Sequence, residues 1–293
     1  MKTLKFIQTL VILGLFAMSS VVLLSSCQPQ QPETPDKFIG LQLWSVRGDM
    51  NEDAAGTLAA IGEMGYKFIE AAGYGNGKFY GMDPVEFREL AEANGLIFLA
   101  SHTGQDLPTE ENWDQVMEWW QTAIDAHVAA GVQYIVQPWM GRAGYESLEG
   151  LKRFCEYFEA VGEMCNAHGI RFGYHNHDNE FQELEGEVIF DFMLNNTDPE
   201  KVMFQMDLYW VFVGNADPVD YFNRFPGRFE LWHVKDETEV GASGKMDFEN
   251  IFNNAEISGM QYVIVEVEAY NYTPIESVRV SLEYLLNADY VNL

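Results

Sequence analysis

The nine residues Gly173-Tyr174-His175-Asn176-His177-Asp178-Asn179-Glu180-Phe181 place two imidazoles, two amides and two carboxylates within one short stretch. They follow an apolar run, Ile170 to Phe172, that reads as a strand. Alternate residues of a strand share a face, so His175 and His177 point the same way, roughly 7 Å apart along the backbone. Glu180 follows where the chain turns and can fold back toward them. Neutral imidazole and carboxylate are ligands for zinc, manganese or iron, and they are also the usual general bases. An HxH pattern alone is weak, so its weight depends on what the rest of the chain brings to it.

The positioning elements repeat eight times from Lys37 onward, each an apolar strand followed by an amphipathic helix. The strands read as Phe38–Leu43, Tyr66–Ala71, Leu96–Ala100, Gln133–Val136, Ile170–Tyr174, Val202–Met206, Phe229–Val234 and Gln261–Val267. Helix starts are marked by Asn51, Asp83-Pro84, Pro108-Thr109, Ser147, Asp217-Pro218, Asp247 and Pro274, and several helix ends by glycine. Strands alternating with helices pair in parallel through right-handed crossovers, and eight units close a single (β/α)8 TIM barrel over residues 38–293. No glycine-rich dinucleotide loop follows the first strand, which argues against an open doubly wound sheet.

A barrel carries its chemistry at the C-terminal ends of its strands. Those ends here supply Gln42 and Trp44, Glu70, His102, Gln137, His175 with His177 and Glu180, Asp207, His233 with Lys235 and Asp236, and Glu266 with Glu268. Four of the six histidines fall there. The other two, His127 and His168, sit near helix C-termini, where an imidazolium suits the dipole, and read as structural. Asp207, His233 and Glu266 come from neighbouring strands, and buried there each needs a partner or a metal ion. With Glu180 they make a three-carboxylate, one-imidazole site suited to manganese, cobalt, zinc or iron.

Several segments resemble the sugar isomerase/epimerase superfamily with the xylose isomerase-like barrel, of the AP endonuclease family 2 type. They are Phe38-Ile39-Gly40-Leu41-Gln42-Leu43-Trp44-Ser45-Val46-Arg47, Tyr174 through Phe181, Met206-Asp207-Leu208-Tyr209-Trp210-Val211 and His233-Val234-Lys235-Asp236. The resemblance implies one divalent ion, Mn2+ first and Zn2+, Co2+ or Fe2+ as alternatives, held by four ligands from strands five to eight. Asp207, His233 and Glu266 match the last three positions. Where ketose epimerases of the superfamily carry a glutamate at the end of strand five, this chain has His175. Either Glu180 reaches back to the ion or His175 binds it; the reading favours Glu180 as ligand and His175 or His177 as base.

The expected chemistry is proton abstraction beside a carbonyl of a sugar, through an enediolate. Returning the proton gives an isomerase or epimerase; expelling a β leaving group gives a 3-keto-glycoside lyase or hydrolase. A carbohydrate-binding lipoprotein without catalysis is the non-enzymatic alternative. Lys235 is a candidate for the substrate oxyanion, Trp44 for stacking on a sugar face, and Glu70, His102 and Gln137 for its hydroxyls. Gly241-Ala242-Ser243-Gly244-Lys245 lacks P-loop spacing, and the substrate is expected to carry no phosphate.

Composition bounds the partners. The formal charge of −28, from 17 basic against 45 acidic side chains, excludes a nucleic-acid binder. Lys2 and Lys5 before the apolar run Phe6–Leu24 read as a signal over residues 1–26, and Leu24-Ser25-Ser26-Cys27 resembles a bacterial lipobox. Cys27 would then be lipidated, residues 27–37 a Pro- and Gln-rich tether, and the protein exported and lipid-anchored, facing the periplasm, with no other membrane contact. Cys155 and Cys165, ten residues apart in one helix, are too distant for a disulfide and read as buried thiols.

Overall fold

The computed structural model describes residues 37–293; the expected signal, Cys27 and the tether up to residue 36 lie outside them. Eight parallel strands close a barrel: β1 Ile39–Gln42, β2 Phe68–Ala71, β3 Ile97–His102, β4 Tyr134–Gln137, β5 Arg171–His175, β6 Met203–Asp207, β7 Leu231–Val234 and β8 Tyr262–Val265. Each strand pairs with its sequence neighbours, and β8 closes on β1 with Leu41 beside Val265. The principal crossover helices are α1 Ala54–Met64, α2 Pro84–Ala93, α3 Trp113–Ala130, α4 Leu148–Asn166, α5 Ile189–Asn195, α6 Pro218–Arg224, α7 Phe248–Asn253 and α8 Pro274–Asn287. The barrel read from the sequence is the observed fold. The boundaries moved slightly: α1 is capped by Asp53 rather than Asn51, and α3 begins at Trp113 rather than at Pro108.

Strand period two splits the interior into layers. Phe68, Leu99, Val136, Met203, Leu231 and Ile264 form a buried apolar cluster inside the barrel. Their sequence neighbours, such as Ile69, Phe98, Ile135, Phe204, Trp232 and Val263, join the larger core beneath the helices. Two residues further along each strand the inward positions turn polar: Glu70, Gln205 and His233 follow Phe68, Met203 and Leu231 and are fully buried. The apolar layer plugs the barrel and the polar layer above it forms the floor of the mouth. Glycine is required at one interior position: a Cβ on Gly40 would stand 2.1 Å from the Phe68 ring.

Cys155 and Cys165 are free and buried, as expected. His127 differs from expectation. It is buried among Tyr74 and Phe79, its Nδ1–H donates to Ala123 O at 2.6 Å, and burial lowers its pKa to about 4. It is a neutral core imidazole, because desolvation outweighs the attraction of the helix end. His168 stays exposed on the Met164 carbonyl.

Glu239, in the loop after β7, ties that loop to α8. Burial would raise its pKa, but Ser277 Oγ–H at 2.6 Å and the Asn271 backbone N–H at 2.8 Å bring it to about 2. A folded-state pKa below the unfolded value of about 4.3 gives stability that is full above that pH and fades as pH falls toward 2. Glu239→Gln therefore unfolds at lower urea than the parent at pH 7, and the gap between the two midpoints narrows at pH 3; a constant gap would remove the carboxylate from the account. Gly40→Ala is expected to cost about 1–3 kcal/mol by overpacking against Phe68. The same urea titration shows it, with partial recovery in Gly40→Ala/Phe68→Leu.

Candidate active site

One buried carboxylate organises the floor of the mouth. Glu70 Oε2 accepts from Gln42 Nε2 at 2.7 Å and from His233 Nε2 at 2.5 Å, and Oε1 accepts from Gln205 Nε2 at 2.8 Å. Burial would push its pKa up, but the imidazoles of His102 and His233 and the Gln205 amide hold it below the ordinary value. Gln205 has spent its NH2 on Glu70, so its Oε1 faces the histidines, 2.7 Å from His102 Nε2 and 3.1 Å from His175 Nδ1. An amide oxygen only accepts, so both ring nitrogens are N–H donors. The chain Glu70–Gln205–His175 thus leaves His175 Nε2 with its lone pair free, and Glu70–His233 does the same for His233 Nδ1.

Those two nitrogens meet two carboxylates. Ligand atoms of His175, Asp207, His233 and Glu266 all lie within 4.8 Å of one another, and all four residues are buried. Register sets this: Gln205 pairs with His175 across β6 and β5, and Asp207 with His233 across β6 and β7. Asn176 fixes the end of β6 by accepting from Asp207 N at 3.1 Å. Asp207 Oδ1 caps the short helix Leu208–Val213 through Trp210 N at 2.9 Å, while Oδ2 has no hydrogen-bond partner. His233 Nδ1 is likewise buried without one, 3.3 Å from Glu266 Oε2.

Two orphaned polar atoms in one buried cluster are costly unless a cation takes them, so the donor set fits a metal ion. The electrostatics agree. Burial works to lower the pKa of His233, yet Glu266 and Glu70 raise it to about 10, so the site draws positive charge to Nδ1, as a proton or as a metal ion. Burial raises Asp207 to about 7, with Lys235 opposing it and Glu266 adding to it. His175 is held well below its ordinary value by burial and by the neighbouring imidazoles.

Glu180 does not join this cluster, which corrects the ligand expected for strand five. Its carboxylate accepts from Tyr174 Oη, from Tyr145 Oη at 2.8 Å and from His177 N at 3.0 Å. Tyr174 alternates with His175 and so points outward, stacking on Phe158 of α4. A carboxylate bonded to Tyr174 lies on the outer side of the barrel wall. Its donors hold the His177 turn against the loop after β4.

Above the cluster is a cleft of about 300 Å3. Its floor and walls include His102, His175, His177, Glu266 and Glu268, and Trp44, Pro138 and Trp139 form its rim. Trp44 and Trp139 are about two-fifths exposed, and Trp44 Nε1–H donates to Glu268 Oε1 at 3.1 Å. His177 faces the cleft, its ring 5.0 Å from His175 and 5.9 Å from Trp210.

Three other expected contacts to substrate are not there. Glu70 lies fully buried beneath the cleft, spent on its amide and imidazole donors. Gln137 is spent on the backbone, donating to Gln105 O at 3.0 Å and Trp139 O at 2.9 Å, so it shapes the loop that presents Trp139. Lys235 is buried against Glu266, Glu268 and Asp207 rather than lining the cleft. The strand-end rule found Glu70 and Lys235 but not their roles. Trp139 and Gln205 escaped it, one by lying two residues past β4 and the other by lying inside β6.

The loop Gly241–Lys245 curls around Asp236, whose Oδ2 accepts from Gly241 N at 3.1 Å and Ser243 N at 3.3 Å. The N–H groups that could cradle a phosphate hold an internal carboxylate.

Comparison with known proteins agrees with this fold. A family described as xylose isomerase-like TIM barrel matches residues 58–288. A solved sugar phosphate isomerase/epimerase from Parabacteroides distasonis is 34% identical, covering 89% of this chain and 98% of that one, with a TM-score of 0.83. Inosose dehydratase of Salmonella typhimurium is 26% identical over 150 residues, 42% of this chain and 48% of the relative, so the match spans about half the length of that curated protein. The IolI protein, solved with a zinc atom, shares the fold at 13% identity, covering 87% of this chain and 98% of its own, with a TM-score of 0.65.

Glu70→Leu leaves three buried donors without an acceptor and should destabilise the protein by about 3 kcal/mol or more. Glu70→Gln keeps the shape but removes the charge and should cost less. Chemical denaturation of both tests the hub, and a loss within about 0.5 kcal/mol for Glu70→Leu would exclude it.

Proposed function

We propose, for this chain, which belongs to the xylose isomerase-like TIM barrel family, that the barrel mouth is a divalent-metal site for proton abstraction beside the carbonyl of an uncharged sugar. The observation that carries the reading is the pair of lone-pair nitrogens, His175 Nε2 and His233 Nδ1, converging with Asp207 Oδ2 and Glu266 Oε2, two of these four atoms lacking a hydrogen-bond partner. Those four side chains would hold the ion, with Mn2+, Zn2+, Co2+ and Fe2+ all compatible with the donors. When bound, the ion supplies Lewis-acid polarisation of the substrate carbonyl.

The protein's own residues supply the rest. His175 serves as a ligand, so the base is His177, which faces the cleft and is backed by Trp210. Glu180 holds the His177 backbone through its N–H and so fixes where the ring stands. His177 takes the C–H proton; returning it to the neighbouring carbon makes an isomerase, whereas protonation of the opposite face by a second acid would make an epimerase. His102, which also lines the cleft and donates to Gln205, presents an imidazole to substrate oxygens. Trp44 and Trp139 offer two indole faces at the rim for the apolar face of a sugar ring.

The substrate is uncharged because, among the described residues, no lysine or arginine lines the cleft, and Asp236 fills the loop after β7. A second reading, elimination of a β leaving group after the same proton abstraction, draws support from the inosose dehydratase similarity. Export through the N-terminal signal and lipidation at Cys27 remain part of the proposal, resting on the sequence; they would put the mouth in contact with free sugars and glycosides rather than phosphorylated ones.

The test is metal analysis of protein purified without chelator, followed by deuterium exchange in D2O by NMR with ketoses and a 3-keto-glucoside. The protein should carry about one equivalent of metal and incorporate deuterium beside the carbonyl. His177→Ala should lose about 100-fold or more of the exchange with its metal retained, whereas His175→Ala should lose the metal. Full exchange in His177→Ala would reassign the base, and a parent protein that takes up no metal would leave a sugar-binding barrel. Cleavage of the glycosidic bond along with exchange would select elimination.

A further inference from the structure

The carboxylates of the proposed metal site already hold a cation. Lys235 is buried, with Nζ 3.1 Å from Glu266 Oε2 and 3.8 Å from Asp207 Oδ2. It is also bonded to Glu268 Oε2, and it lies 4.7 Å from the centre of the Trp210 ring. The two oxygens it approaches on Glu266 and Asp207 are the ones that face the His175 and His233 nitrogens. An ion held by all four ligands would stand within a few ångströms of the ammonium, where like charges repel strongly in a buried setting.

We propose that Lys235 is a resident counter-cation that sets the metal affinity of the site. This rests on the metal reading above and goes beyond it. Before loading, the ammonium neutralises Asp207 and Glu266 and keeps two buried carboxylates tolerable without a metal ion. On loading it yields those two oxygens and is retained by Glu268 and by the face of Trp210. Glu268 is therefore the anchor that lets the ammonium step aside; its other oxygen is steadied by Trp44 Nε1. The arrangement weakens metal binding relative to the bare donor set, and it makes the unloaded protein foldable.

Two substitutions act in opposite directions. Lys235→Met removes the competitor, and Glu268→Gln removes the anchor, which confines the ammonium to Asp207 and Glu266. Full-length protein stripped with chelator and then dialysed free of it would be titrated with MnCl2 by calorimetry, and its melting temperature followed with and without the metal. Lys235→Met should bind Mn2+ about tenfold or more tightly than the parent, melt lower without metal, and gain more on adding it. Glu268→Gln should bind Mn2+ several-fold more weakly than the parent.

Equal or weaker binding by Lys235→Met overturns the inference while leaving the metal reading intact. If Lys235→Met does not fold without metal, Glu268→Gln decides alone, and unchanged or tighter binding by it overturns the inference. A parent protein that binds neither Mn2+ nor Zn2+ overturns both.

Discussion

The mouth of this barrel depends on one interaction, the buried Glu70 carboxylate accepting hydrogen bonds from Gln42, Gln205 and His233. An ionised carboxylate out of contact with water is unfavourable by several kcal/mol unless donors surround it. Glu70 satisfies that need with side chains from three other strands, and in doing so it fixes their orientation. The amide of Gln205 is turned so that its oxygen faces two imidazoles, and each imidazole is then bound to one tautomer. A single charge below the site decides which nitrogen atoms present lone pairs above it.

The barrel makes such a layered arrangement possible. Inward positions recur every second residue, so the plug formed by Phe68, Met203 and Leu231 is followed two residues later by Glu70, Gln205 and His233. The next inward step brings Asp207 and Lys235 to the mouth. The apolar plug excludes water from beneath, which strengthens the hydrogen bonds of the polar layer above it. Gly40 leaves the room that the Phe68 ring occupies.

Much of this was legible in the sequence. Strand–helix alternation gave the barrel, and strand ends named Asp207, His233 and Glu266 because period two and the C-terminal rule act within a few residues of each strand. The reading failed where an answer depended on which wall of the barrel a side chain lay against. Glu180 has the right chemistry for a ligand, yet its partner Tyr174 alternates outward, and nothing in local spacing shows Tyr145 arriving from another loop. Glu70 and Gln137 read as substrate contacts because their strand-end positions are correct, while their saturation by other polar groups is a tertiary fact. His127 read as a structural imidazolium near a helix C-terminus, since the aromatic shell that desolvates it comes from the distant segment Tyr74–Phe79.

Charge balance links the chemistry of the site to the substrates it can accept. Asp207, Glu266 and Glu268 face the Lys235 ammonium, and Glu70 faces the imidazoles of His102 and His233. An excess of buried negative charge attracts a dication and repels an anionic substrate through the same field. A phosphate group would enter against that field with, among the described residues, no arginine or lysine lining the cleft to receive it, and Asp236 already occupies the glycine-containing loop after β7. An uncharged ring avoids that repulsion and meets two exposed indoles at the rim. In the proposed function the acidic floor would favour a metal cation beneath and a neutral substrate above, and neither preference needs a residue beyond those that hold the floor together.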